Sequence, residues 1–242
     1  MMEQAVVTPG TGGLTRFVAS VLLTVSCFGA SYYAAGSARH STFSTLLWRY
    51  LSLATAVGGL FGVFSIIVTI GIGGATLVAV RGLFGLFFII FLALSMRELY
   101  YQAPYRSSES DGWISLTRAR RLETIFMVIV VIEFSIAILI GLTRVSQTIQ
   151  LFASLGFTLY GVSFAHSMRN ETLSSGTVID SVLTYTIAVL LCIGIGFAVE
   201  SGAVVGLPDT TIDSAVNILT VMGASFLISL IIRLKQNVEA VK

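Results

Sequence analysis

The chain has 242 residues, 55% of them hydrophobic and 11% charged, with a mean hydropathy of +0.93. Soluble domains usually carry about 25% charged residues. A single aqueous core is therefore excluded, and lipid must act as solvent for much of the surface. The formal net charge of +2 says less than where the charges fall. A spanning helix needs about 20 mostly apolar residues, and seven stretches qualify: 15–37, 45–70, 75–97, 122–143, 147–168, 178–200 and 210–232. They predict an all-α membrane protein, one seven-helix transmembrane domain over 1–242 with no separate soluble domain.

Before the first stretch, "MMEQAVVTPGTGG" lacks a basic n-region, and the apolar run after Arg16 is long enough to span, so it reads as a membrane helix rather than a signal peptide. Cys27 in this stretch and Cys192 in the sixth read as small buried hydrophobes, not as a disulfide or metal ligands. In the second stretch, "AVGGLFG" (Ala56–Gly62) sets Gly58 and Gly62 four residues apart, a spacing that lets helices approach closely. "TIGIGG" (Thr69–Gly74) then supplies a turn, because glycine tolerates the backbone angles that a turn requires. The loop after the third stretch is long and carries Arg97, Arg106, Arg118, Arg120 and Arg121, with Tyr100, Tyr101 and Trp113 as candidate interfacial anchors. Its "TRARR" run (Thr117–Arg121) is either a topology signal or a contact for anionic headgroups. Gly194 and Gly196 in the sixth stretch, and Gly223, Ala224 and Ser225 in the seventh, again suit close helix packing or, alternatively, dimerisation.

The basic residues also set an orientation. Arg39 and Arg49, the long third loop, Arg169, and a tail with Arg233, Lys235 and Lys242 all fall on one side. The other side has Arg16 and Arg144, and its sixth loop carries Glu200, Asp209 and Asp213 without a base. The positive-inside rule predicts the N-terminus outside and the C-terminus in the cytoplasm, as a multi-pass protein of the cell (plasma) membrane.

The last quarter, "ESGAVVGLPDTTIDSAVNILTVMGASFLISLIIRLK" (Glu200–Lys235), resembles the sixth loop and seventh helix of microbial rhodopsins. In that family a small-residue turn ending in proline leads into a last helix. The helix carries a carboxylate, then the retinal-binding lysine one turn later, and it closes on basic residues. Counted from Pro208, the carboxylate position falls on Thr220 and the lysine position on Ala224; Arg233 and Lys235 match the basic end. Arg81, near the outer end of the third stretch, matches the family's arginine beneath the chromophore, and "GLTRV" (Gly141–Val145) resembles its short turn between helices four and five.

The departures remove the family's chemistry. A retinal Schiff base needs an amine in a dry pocket and a carboxylate to balance its proton, yet Ala224 has no amine and Thr220 no charge. One turn after Arg81, where the resemblance implies the main counterion, stand Phe84 and Gly85. The sixth-helix aromatics that wall the ring fall on Leu190, Ile193 and Phe197, so one aromatic remains in the pocket wall that the resemblance implies. Covalent retinal binding and light-driven pumping by that route are excluded. A noncovalent lipid, retinoid or carotenoid stays open.

Ionisable groups at bilayer depth are expensive and default to functional hypotheses. Arg81 and Glu133, in "VVIEFSI", are the two candidates. Their vertical offset on neighbouring antiparallel helices is roughly 5–8 Å at 1.5 Å per residue. They are expected to pair directly or to share a polar cavity, as a gate, proton site or ligand anchor. The plainer alternative is a structural ion pair or a carboxyl held by a hydrogen bond. Glu123, Asp180 and Asp213 are expected in first helical turns, suiting the helix dipole. Glu200 is expected at a solvated helix end, and His166 at the interface without metal-ligand spacing around it.

No phosphate loop, zinc signature or nucleophile elbow is found, so the chain does not read as an enzyme. The basic cluster is too short and too close to the membrane to argue for nucleic acid. The leading expectation is a non-photochemical rhodopsin-like protein that signals through, or assembles with, a membrane-protein partner or a second copy in the lipid bilayer. The alternatives are an ion or proton transporter or channel built on Arg81 and Glu133, and noncovalent binding of a lipophile.

Overall fold

The glycine turn separates the second and third spans as the sequence predicts: Gly71 takes φ 79°, a left-handed conformation that favours glycine. The computed structural model describes residues 11–40, 45–72, 74–101, 116–140, 144–172, 178–202 and 206–240. Among them run seven helices: α1 (Thr11–His40), α2 (Thr45–Thr69), α3 (Ala75–Tyr101), α4 (Leu116–Ile140), α5 (Arg144–Thr172), α6 (Val178–Glu200) and α7 (Asp209–Ala240). Each contains a stretch long and apolar enough to cross a membrane, which makes the chain a multi-pass membrane protein.

Several predicted boundaries move outward. α3 continues past 97 to Tyr101, and α4 begins at Leu116 rather than 122, so Arg97 and the "TRARR" run are helical and not loop. Helical backbone satisfies its own hydrogen bonds, so a helix can extend beyond its most apolar residues. Arg106, Trp113 and the Gly141–Thr143 part of "GLTRV" lie outside the described residues.

α1 packs between α2 and α7, and α6 between α5 and α7. α3 is the hub, in contact with α2, α4, α5 and α6; from Leu92 to Tyr100 each of its residues is buried. α4 leans on α3 and scarcely touches α5. Within its apolar window 22% of α4 is buried inside the protein, against 61% for α3 and α6, so α4 is the outlying helix.

Lipid tails are as apolar as leucine, so helices in a membrane associate through close packing and polar contacts. Gly62 shows the packing: a Cβ there would lie 3.1 Å from the Thr24 Cα and nitrogen and overlap the Thr24 hydroxyl. Gly58 likewise meets Cys27 and Phe88. Gly194 lies against Thr158, where a Cβ would overlap the hydroxyl. Between α1 and α2, Ser31 donates to the Ser52 carbonyl at 2.9 Å and Ser52 to the Ser31 carbonyl at 3.1 Å. Other buried hydroxyls, among them Thr55, Ser65, Thr158 and Thr186, donate to carbonyls one turn back in their own helix.

Candidate functional site

Polar side chains gather at the two ends of the bundle, with an apolar layer between. At the first end Arg81, 6% exposed, points from α3 to the last residue of α6. Its Nη2 donates to Glu200 Oε1 and Oε2 at 2.5 and 2.6 Å, and its Nε to Ser65 Oγ at 3.1 Å. The guanidinium carbon lies 5.5 Å from the Phe61 ring centroid. Arg16 of α1 donates to the same Glu200 at 3.2 Å and to Asp213 of α7 at 3.3 Å. Beside them is a cavity of about 20 Å³ lined in part by Ser20, Ser65, Arg81, Asn217 and Thr220, room for about one water.

This geometry corrects the expected partner of Arg81. Glu200, read from the sequence as a solvated helix end, is the carboxylate it meets, while neither carboxylate oxygen of Glu133 has a hydrogen-bond partner. Both α4 and α6 contact α3, so the face decides: the final turn of α6 lies level with the first turns of α3 on the side from which the Arg81 side chain leaves. Asp213 lies in the second turn of α7 and pairs with Arg16, so its role is more than suiting the dipole.

In the middle layer, the positions that the resemblance assigns to a chromophore pocket pack on one another. A Cβ on Gly85 would overlap the Phe197 ring and lie 3.0 Å from Phe61; the Phe61 and Phe197 centroids are 5.4 Å apart. Leu190 lies against Gly161 and Ile193 against Gly223. Leu190, Ile193, Phe197 and Ala224 are all buried. Phe84 instead turns to α2 and stacks on Phe64 at 5.1 Å. The Thr220 hydroxyl donates to the Val216 carbonyl of its own helix.

The second end holds a buried ion network that the sequence reading missed. Arg97 donates to Glu123 of α4 and, at 2.5 Å, to Glu98; Arg120 reaches Glu98 at 3.1 Å; the Tyr160 hydroxyl of α5 donates to Glu123. Arg97 and Glu98 are each 1% exposed and Glu123 is 7% exposed. One buried arginine thus faces two buried glutamates, and the exposed Arg120 supplies the second positive charge from the surface. Glu123 is no first-turn residue, since α4 begins at Leu116. Tyr100 is buried on Phe164 at 5.2 Å, not placed as an interfacial anchor. The available signal was Glu98 beside Arg97, adjacent opposite charges where the third apolar stretch ends.

α4 meets the hub through Phe134, whose ring lies 3.2 Å from a Cβ placed on Gly82. Near the second end, α4 and α5 enclose a groove of about 360 Å³ open to the side, lined by Ala119, Leu122, Glu123, Phe126, Phe152, Ala153, Gly156, Phe157 and Tyr160. Phe126 packs edge-on against Phe157 at 5.0 Å, and Glu123 bonds Tyr160. His166 is exposed on the last turns of α5. Among the described residues no three His, Cys, Asp or Glu side chains come together as a metal site.

No family model, curated protein or solved structure matches the chain.

Proposed function

We propose that the chain is a non-photochemical membrane protein of rhodopsin-like architecture that signals to, or assembles with, a neighbour in the cell membrane through its α4 flank. The N-terminus lies outside and the C-terminus in the cytoplasm, on the distribution of arginines. Glu133 carries the reading. It lies within the α4 span, seven residues before the helix ends at Ile140, and both its carboxylate oxygens are buried without a hydrogen-bond partner. An unmatched carboxyl inside a span is costly; the residue is only half-buried, and turning its side chain toward the α4 flank would bring the carboxyl to a donor on a partner helix. Around it α4 turns Ile129, Ile132, Ile136 and Leu139 outward.

Two other readings have less support. A conduction path built on Arg81 and Glu133 lacks their contact, since Arg81 is held by Glu200. A retinoid or carotenoid beside Ala224 competes with Phe197, Ile193 and Leu190 for space.

The test is disulfide cross-linking in native membranes. Cys27 and Cys192 are buried and do not interfere. Leu139→Cys is expected to cross-link to a second copy or another membrane protein, and Val25→Cys on the exposed side of α1 to do so far less. Glu133→Leu added to Leu139→Cys is expected to abolish the product. Equal yields at both positions, unaffected by Glu133→Leu, overturn the reading.

A further inference from the structure

The groove between α4 and α5 is built by the fold and not left by chance. Both helices pack on α3, and they diverge enough that their mutual contact is small. Its floor uses small residues, Ala119, Ala153 and Gly156. Gly156 is the most telling, because a Cβ there would meet nothing within 4 Å. Elsewhere in the helices, glycines such as Gly62, Gly85 and Gly194 are where a neighbour presses in. Leu122 and Phe152, 59% and 69% exposed, form the lips. The lining is almost wholly apolar except for Glu123 and Tyr160 at one end, and these are already bonded to each other.

The groove also has a direction. From Ala119 to Phe126 it follows α4 for roughly 10 Å, and from Tyr160 to Phe152 it follows α5 for roughly 12 Å, at 1.5 Å per residue. It runs from the Arg97 end toward the middle of the spans. At the Arg97 end stand Arg118 and Arg121, both exposed on the first turns of α4; Arg118 lies one helical turn before the lip residue Leu122, and residues at that spacing are neighbours on a helix surface. Exposed arginines beside the mouth of an apolar slot at membrane depth complement a molecule with an anionic head and a hydrocarbon tail.

We propose that the α4–α5 groove holds one acyl chain of an anionic glycerophospholipid, its phosphate at Arg118. The chain fills the space over Gly156 and supplies α4 with packing that α5 does not give. This site is separate from Glu133 and does not depend on the partner reading.

The experiment reconstitutes the full chain in bilayer discs of phosphatidylcholine with and without phosphatidylglycerol, then counts retained lipids by native mass spectrometry after detergent extraction. Wild type is expected to retain one phosphatidylglycerol. Gly156→Phe fills the groove from a position with open space and is expected to lose that lipid while melting no lower than wild type. Gly156→Ala, too small to fill it, serves as the folding control. Arg118→Gln is expected to keep an occupied groove but to weaken the preference for phosphatidylglycerol over phosphatidylcholine about fivefold, the equivalent of roughly 1 kcal/mol per surface arginine. Gly156→Phe with an unchanged lipid load, wild type with no retained lipid, or Arg118→Gln with an unchanged preference each overturns the proposal.

Discussion

Arg81 and Glu200 lie 119 positions apart in the chain, on α3 and α6, and meet at 2.5 Å. One nitrogen of Arg81 serves both carboxylate oxygens, and Ser65 and Phe61 hold the rest of the guanidinium. The contact joins the two helices at the same end where Arg16 joins α1 to α7 through Asp213. A charge so placed is sensitive to loss of its partner, because it has little water to fall back on.

Glu200→Gln therefore leaves Arg81 buried without a counter-charge and is expected to destabilise the protein by about 2 kcal/mol, a hydrogen bond to a charged group being of that order. Glu200 is partly exposed and keeps some solvation, which holds the effect below that of a fully buried pair. Thermal unfolding in detergent reads the change. Arg81→Gln combined with Glu200→Gln is expected to recover part of the loss, and a fully additive pair would show that the contact contributes nothing.

At the other end the expected order of effects is specific. Tyr160→Phe removes one donor from Glu123 and should cost about 1 kcal/mol. Glu123→Gln takes from Arg97, 1% exposed, one of its two carboxylates and leaves it Glu98, and should cost about 3 kcal/mol. Equal losses in unfolding measurements would mean that Arg97 is sufficiently held by Glu98.

Glycines divide by what stands over them. Gly62→Ala drives a methyl toward the Thr24 backbone and is expected to lose about 1–3 kcal/mol through overpacking. Gly156→Ala meets open space and should gain about 0.5–1 kcal/mol from helix propensity alone. Melting temperatures of the two variants, moving in opposite directions, check both.

Ala224→Lys restores the amine that the resemblance lacks, but into a position 1% exposed and without a carboxylate at Thr220, Phe84 or Gly85. Incubation with retinal followed by borohydride reduction is expected to trap no adduct, and the variant should melt lower because it buries an unpaired charge. A stable coloured adduct would show that the middle layer opens more readily than its packing implies.

The spans were legible in the sequence because membrane helices must be long and apolar, and that signal is local. So was the turn at Gly71, and so were the close approaches at Gly58 and Gly62. The charge pairs were not. Arg81 and Glu133 are matched in the sequence by depth and by neighbouring helices, and α3 and α4 do touch; the pairing is decided by which face of each helix a side chain leaves from, and hydropathy carries no record of that. Arg97 and Glu123 were lost for a different reason. Both lie where hydropathy falls, and a drop in hydropathy looks the same whether the helix ends or dips into a charged core. The groove had no sequence signal either, since it exists because α4 and α5 diverge.

α3 carries arginine anchors 16 residues apart, Arg81 and Arg97, roughly 24 Å along its axis, and each is tied to a different set of helices. A piston stroke of one turn would break both anchors at once. The helix is thus a fixed axle. Relative motion of its neighbours is then a swing around it, and α4, the least enclosed of them, has its hinge where Glu123 meets Arg97.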